Sequence, residues 1–297
     1  MKKKILVIVG PTGAGKTNLA IQISKKYSGG LVSADSRQIY KELDIGTAKS
    51  KDELKQAKME IFLIDFVSPR QSFNVAKYKE LAYQKIDELL SQGKLPIVVG
   101  GTGFYIDAIV ENCDFPPKAN RTIQNKLDKL SEEELLKRLK KVDPKAASKV
   151  DPKNKRRLIR ALEIYESTGI PRSKFGKKSN VAKYNFLILG IDITREKLYK
   201  KIDERVDQMI KDGLVEETKK VYKKYGRVES LNTIGYKEIT EYLNGKVSLQ
   251  EAIKRIKFNT HAYVRRQMTW FRKNKEIIWI KNQKEAEEKI RGFLCKK

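Results

Sequence analysis

The 297 residues hold 64 Lys+Arg against 37 Asp+Glu, a formal charge of +27, with 40% hydrophobic content. That is enough chain for a full core plus one smaller appended unit, and far more positive charge than a small anionic substrate needs, so a polyanion is the expected partner. No apolar run approaches the ~20 residues that span a bilayer, and a single histidine, His261, with two distant cysteines, Cys113 and Cys295, offers no Cys/His zinc set and leaves general-base work to carboxylates.

The basic start at residues 1–4 leads into only five apolar residues, which is no secretion signal, so a cytoplasmic, reducing setting is expected. Ile5 to Val9 reads as a short buried strand that ends in Gly10-Pro11-Thr12-Gly13-Ala14-Gly15-Lys16-Thr17. This G-x-x-x-x-G-K-T run predicts a phosphate cradle. Its glycines let backbone N–H groups turn toward an anion, Lys16 reaches the outer phosphates, and Thr17 offers its hydroxyl to Mg²⁺ at the start of a helix over Asn18 to Lys26.

Gly29-Gly30 turns the chain into a second strand, Leu31 to Ser33, followed by Asp35-Ser36-Arg37-Gln38. Strand, helix, strand opens a parallel α/β sheet, and ligands collect beyond the carboxyl ends of its strands. Asp35 is therefore read either as a pocket carboxylate or as a turn cap. Ile61 to Val67 is predicted as a third strand with Asp65 late in its run, a weaker candidate for holding a metal. Val75 to Gln92 has helical apolar spacing, and Leu95 to Val99 is the next buried strand. It ends in Gly100-Gly101-Thr102-Gly103, small residues that admit close approach, with the Thr102 hydroxyl available; a plain tight turn is the alternative.

Phe115-Pro116-Pro117 breaks this alternation, and residues 116–182 are predicted as a helical basic insertion between core segments 1–115 and 183–297. Between Pro117 and Asn180 there are nineteen Lys+Arg and eight Asp+Glu, giving +11. Ser131 and Glu134 form a capping box for one helix, and Asp151-Pro152 opens another that runs to Gly169. In that second helix Leu158, Ala161, Leu162 and Tyr165 make an apolar stripe, with Arg156 and Arg160 facing away from it. Ser173 to Asn180 is read as a basic loop returning to the sheet.

Asn185 to Asp192 restores a strand, and Thr194 caps a helix whose stripe of Leu198, Ile202, Val206 and Met209 includes Arg205. A guanidinium there demands a distant carboxylate or a bound anion. Ser248 and Glu251 box a helix running through Tyr263, Arg265, Arg266, Gln267, Trp270, Phe271 and Arg272, a mixture suited to bases and phosphates, although the large aromatics fit a core equally well. Ile277 to Ile280 is a last edge strand and Gln283 to Lys297 a final helix.

Taken in order, GPTGAGKT, DSRQIY (35–40), DIGTAK (44–49), LID (63–65), GGTGFY (100–105), RRLIRALE (156–163), IGYKE (234–238) and RRQMTWFRK (265–273) make the chain similar to the bacterial tRNA dimethylallyltransferases over nearly its whole length. It departs from them at Ile61-Phe62, where the family carries a histidine pair before LID. The resemblance implies a P-loop NTPase-like fold with an insertion gripping the anticodon stem-loop of tRNA, dimethylallyl diphosphate as donor, N6 of adenosine 37 as acceptor, and Mg²⁺; a monomer is expected, although no sequence feature sets the oligomeric state. It also implies Asp35, Thr102, Lys16 and Arg205 as catalytic residues and the 10–17 loop as the diphosphate site. The tRNA contacts it implies are Asp35, Ser36, Arg37, Gln38, Thr102, Arg121, Arg156, Arg157, Leu158, Ile159 and Arg160. Two other readings share the cradle: a small-molecule or nucleotide kinase, and an RNA-binding NTPase without transferase activity.

Overall fold

The structure is a computed structural model that describes residues 2–176 and 182–295. It divides into two compact units, residues 1–110 with 183–297, and residues 111–182.

The first unit is built on a six-stranded parallel sheet. Its elements are β1 (Lys4–Val9), α1 (Lys16–Lys26), β2 (Gly29–Ser33), α2 (Lys51–Gln56), β3 (Ile61–Phe62), α3 (Val75–Ser91), β4 (Leu95–Gly100) and α4 (Gly103–Val110). The second unit then supplies α5 (Arg121–Leu127), α6 (Glu132–Val142), α7 (Pro144–Ala147) and α8 (Lys155–Thr168). The chain returns to the first with β5 (Asn185–Ile191), α9 (Arg195–Lys211), α10 (Leu214–Tyr225), α11 (Tyr236–Leu243), α12 (Leu249–Arg272), β6 (Ile278–Ile280) and α13 (Gln283–Cys295). The sheet order is β3-β2-β4-β1-β5-β6, every pair parallel. β1 lies between β4 and β5, with Val7 opposite Val98 on one side and Ile188 on the other. Strands so enclosed carry unbroken apolar runs because both faces are covered. Ile5, Val7 and Val9 pack on one side with Tyr78, Ala82 and Ile86 of α3, and Leu6 and Ile8 on the other with Leu19, Ala20 and Ile23 of α1. A third cluster joins α9 to α12 through Leu198, Ile202, Val206, Leu214, Ile256 and Val264.

Several local expectations need correction. α1 starts at Lys16, inside the cradle motif. β3 is two residues long because Leu63 (φ 62°) and Asp65 (φ 60°) adopt left-handed backbone, which ends the ladder. Pairing resumes only as an isolated bridge from Tyr40 to Val67. In the second unit the box on α6 forms in both directions, whereas α8 is capped by Asn154, Asp151-Pro152 being a preceding turn. Of the loop expected over 173–180, residues 172–174 form a 3₁₀ turn and 177–180 lie outside the described residues. Leu127, Leu135, Leu139, Leu158 and Leu162 make the second unit's own core. Among the described residues no helix is long and apolar enough to cross a membrane.

Candidate active site

The cradle joins β1 to α1, and Gly13 (φ 84°) and Gly15 (φ 86°) hold it in the left-handed backbone that other residues avoid. Thr12, Gly13, Gly15, Lys16 and Thr17 face a cavity of about 740 Å³; Gly10, Pro11 and Ala14 are buried in the loop's base. A helix N-terminus with inward N–H groups and a lysine suits an anionic phosphate group. Lys16 Nζ donates to the Pro11 carbonyl at 2.8 Å. Burial pulls the Lys16 ammonium down to about 8; the Asp35 carboxylate opposes that fall and the Arg205 guanidinium adds to it.

Asp35 lies on the same cavity, just past the end of β2. Its Oδ1 accepts from the N–H groups of Arg37 (2.8 Å) and Gln38 (3.3 Å), so the cap and pocket readings hold together. The turn after β4 closes over it: Thr102 N–H donates to Ala34 O at 3.1 Å, and Thr102 Oγ1 accepts from Ser36 N–H at 3.0 Å. Only glycine serves at position 100, where a Cβ would stand 2.2 Å from the Ala34 carbonyl oxygen. Gln38 also lines this cavity, its amide donating to the carbonyls of Thr47 and Ala48.

Arg205 borders this cavity and a second one of about 360 Å³, as do Thr12, Asp35, Thr47, Ala48 and Met209. Among the described residues Arg205 has no ion pair; its hydrogen bond is to Ala48 O at 3.4 Å. Burial lowers its basicity, and the carboxylates of Asp35 and Glu53 oppose that. The second cavity is apolar on one side, with Ile202, Val206, Ile234 and Ile256, and carries Arg37, Tyr263 and Arg266 on the other. Asp65 lines neither cavity. It and Asp44 take the wholly buried Lys49 ammonium at 2.8 and 2.7 Å, with Lys51 on both. Burial alone would raise both carboxyls, but hydrogen bonds from Lys49 and Lys51 outweigh it and hold them below the usual range. A carboxylate so saturated is structural, which corrects its reading as a metal holder.

In the second unit Arg121, Arg156 and Arg157 are exposed. Leu158 is 0% exposed and Ile159 is buried beside it, so neither presents a side chain to a partner. Arg160 does not point freely outward either: it pairs with the buried Glu163 and donates to Pro117 O.

Three sets of contacts went unread in the sequence. Gln267, 6% exposed, accepts from Thr12 N–H at 2.9 Å and donates to Gly101 O at 2.8 Å, tying the cradle to the turn after β4. Its signal was a polar residue in phase with buried Val264 and Phe271. Tyr263 meets the Thr102 hydroxyl; burial first, then the Asp35 charge, push its phenol up to about 12 against Arg37 and Arg266. Glu217 accepts from the N–H groups of Asp44, Ile45 and Gly46 at 3.0–3.3 Å and from Tyr236 Oη at 2.5 Å, fixing the loop that walls the first cavity. No local pattern announces a contact across more than 170 residues.

Comparison with known proteins places this arrangement. The family profile described as IPP transferase matches residues 38–274. The tRNA dimethylallyltransferase of Acetivibrio thermocellus is 45% identical over 96% of this chain and 94% of its own. The crystal structure of the full-length tRNA isopentenylpyrophosphate transferase from Bacillus halodurans is similar at 37% identity and a TM-score of 0.73, covering 99% of this chain and 96% of that one. A eukaryotic dimethylallyltransferase solved acting on tRNA gives a TM-score of 0.80 at 30% identity, over 90% of this chain and 69% of that one. With a P-loop sheet, a family match across most of its length and relatives of this similarity, the chain belongs to the IPP transferase family of prenyltransferases.

Proposed function

We propose that the protein transfers a dimethylallyl group from dimethylallyl diphosphate to N6 of adenosine 37 in tRNA, releasing diphosphate. One observation carries the reading: the phosphate cradle and Asp35 open onto one cavity system, with Arg205 bordering both of its parts. The donor's diphosphate lies in the cradle, held by loop N–H groups, Lys16 and Arg205, and its five-carbon tail lies against Ile202 and Val206.

The allylic C–O bond breaks and its electron pair leaves with the diphosphate. Lys16, the loop N–H groups and Arg205 stabilise the charge that gathers there, more in the transition state than before it. The adenine N6 lone pair forms the new C–N bond, and the amine proton passes to Asp35. The acceptor base is unstacked to reach this depth, and Thr102 and Tyr263 hold its edge. Mg²⁺ fits the donor set, since Thr17 supplies one hard oxygen at the cradle and substrate phosphates and waters complete such sites. When bound it would neutralise diphosphate charge. Arg121, Arg156 and Arg157 contact the RNA backbone.

Incubation with labelled dimethylallyl diphosphate and unmodified tRNA tests the proposal. Incorporation that is lost in Lys16→Ala and Asp35→Asn is expected; turnover of ATP without incorporation would reject it. The protein acts as a monomer in the cytoplasm on this reading.

A further inference from the structure

The second half of α12 lies along the turn that follows β4. Tyr263 meets Thr102, Gln267 meets Gly101, and Trp270 covers Gly103, at spacings of four and three residues that share one helix face. Phe271, next in sequence, is 2% exposed and belongs to the sheet core. Trp270 has the opposite fate: it is 45% exposed although large aromatics are mostly covered.

Its ring is nevertheless fixed. The indole Nε1 donates to Asp107 Oδ2 at 2.9 Å. The ring rests on Gly103, where a Cβ would come within 2.4 Å of Cδ1. Phe104 meets it edge-on, ring centres 6.5 Å apart at 72°. An exposed indole whose one polar atom is satisfied and whose orientation is set has no further hydrogen bond to offer; what it presents is a flat apolar surface.

We propose that Trp270 is a stacking platform for an unpaired nucleobase neighbouring the acceptor base, an inference that rests on the RNA-modifying reading above. Position argues for a base: the platform lies on Gly103, one residue from Thr102, so a nucleotide adjacent to one held at Thr102 falls beside the indole. Charge argues for it too. Arg266 and Lys273, four residues before and three after Trp270, are exposed on the same helix face and suit the phosphates flanking a stacked base. Aromatic stacking of this kind tolerates any base, since every base has a π face.

The chain has two tryptophans, so Trp279→Phe leaves Trp270 as the sole indole reporter. Titrating that protein with an unmodified anticodon stem-loop RNA should quench its emission saturably. Trp270→Ala should weaken stem-loop binding by about tenfold or more without changing the slope of log affinity against log salt, and Trp270→Phe should recover most of the loss. A purely structural tryptophan would not give quenching, an unchanged slope and recovery by phenylalanine together. Should Trp270→Ala fail to fold, the emission titration still decides. RNA binding with silent Trp270 emission, or with undiminished affinity in Trp270→Ala, overturns the platform alone; no RNA binding by the unsubstituted protein overturns it together with the RNA reading.

Discussion

At Asp35 the Oδ1 atom accepts from the Arg37 and Gln38 N–H groups, and among the described residues Oδ2 has no hydrogen-bond partner. Replacement by asparagine keeps the Oδ1 acceptor and therefore the turn, but removes the proton acceptor. Asp35→Asn is accordingly expected to lower kcat for transfer by about 10²- to 10⁴-fold while RNA affinity stays within about twofold. Single-turnover incorporation alongside filter binding separates the two, and a matched loss of affinity would assign Asp35 to binding alone. Lys16 gives a pH test. Its ammonium, buried to about 8, is protonated and able to hold diphosphate below that pH, and loses its charge as pH rises through it. Relative to Lys16→Arg, which keeps its charge, calorimetric affinity for inorganic diphosphate should thus fall by up to tenfold per pH unit above about 8, because bound anion holds the proton that free enzyme releases.

Elements were legible where one periodic signal decided them. The cradle, the apolar runs of β1, β2 and β4, and the caps of α6, α9 and α12 are local features, and each forms as its residues dictate. What the sequence concealed are long-range polar ties. The DIGTAK stretch reads as a loop of no particular chemistry, yet its shape depends on Glu217 of α10 and Tyr236 of α11, the latter packed so closely that a Cβ on Gly46 would meet its ring at 2.5 Å. Burial and the neighbouring Glu217 charge raise the Tyr236 phenol far above its usual range, so it remains a neutral donor to that carboxylate. Glu217→Ala strands the Asp44 and Ile45 N–H groups and the phenol, and leaves Gly46 N–H with Tyr236 Oη alone. We expect a loss of about 1–3 kcal/mol, together with faster amide exchange confined to residues 44–49; exchange spread evenly over the protein would show that Glu217 stabilises the fold and not the loop. Asp65 misled for the same reason. A carboxylate late in an apolar run resembles a metal holder until Lys49, sixteen residues away, is seen to occupy it.

For the whole molecule, the charge of +27 matters through its distribution, and the second unit offers a direct measure of it. Cations that neutralise phosphates release counterions, so each one contributes about one unit to the slope of log affinity against log salt. Arg157 is exposed at the start of α8, whereas Arg160, one turn on, is committed to Glu163, a carboxylate with a side chain 0% exposed. The same helix therefore carries arginines of two kinds, and substitution should tell them apart. Arg156→Ala and Arg157→Ala should each reduce the slope by about one, and Arg157→Ala should leave the melting temperature unchanged. Arg160→Ala leaves a buried carboxylate without its cation, a loss on the order of 3 kcal/mol that lowers the melting temperature, with RNA affinity falling only as the second unit unfolds. Filter binding between roughly 50 and 200 mM salt, paired with thermal melts of the same proteins, checks all three. An Arg160→Ala protein that melts normally but loses a full unit of slope would show that the ion pair opens to admit phosphate, and would return Arg160 to the RNA-binding surface.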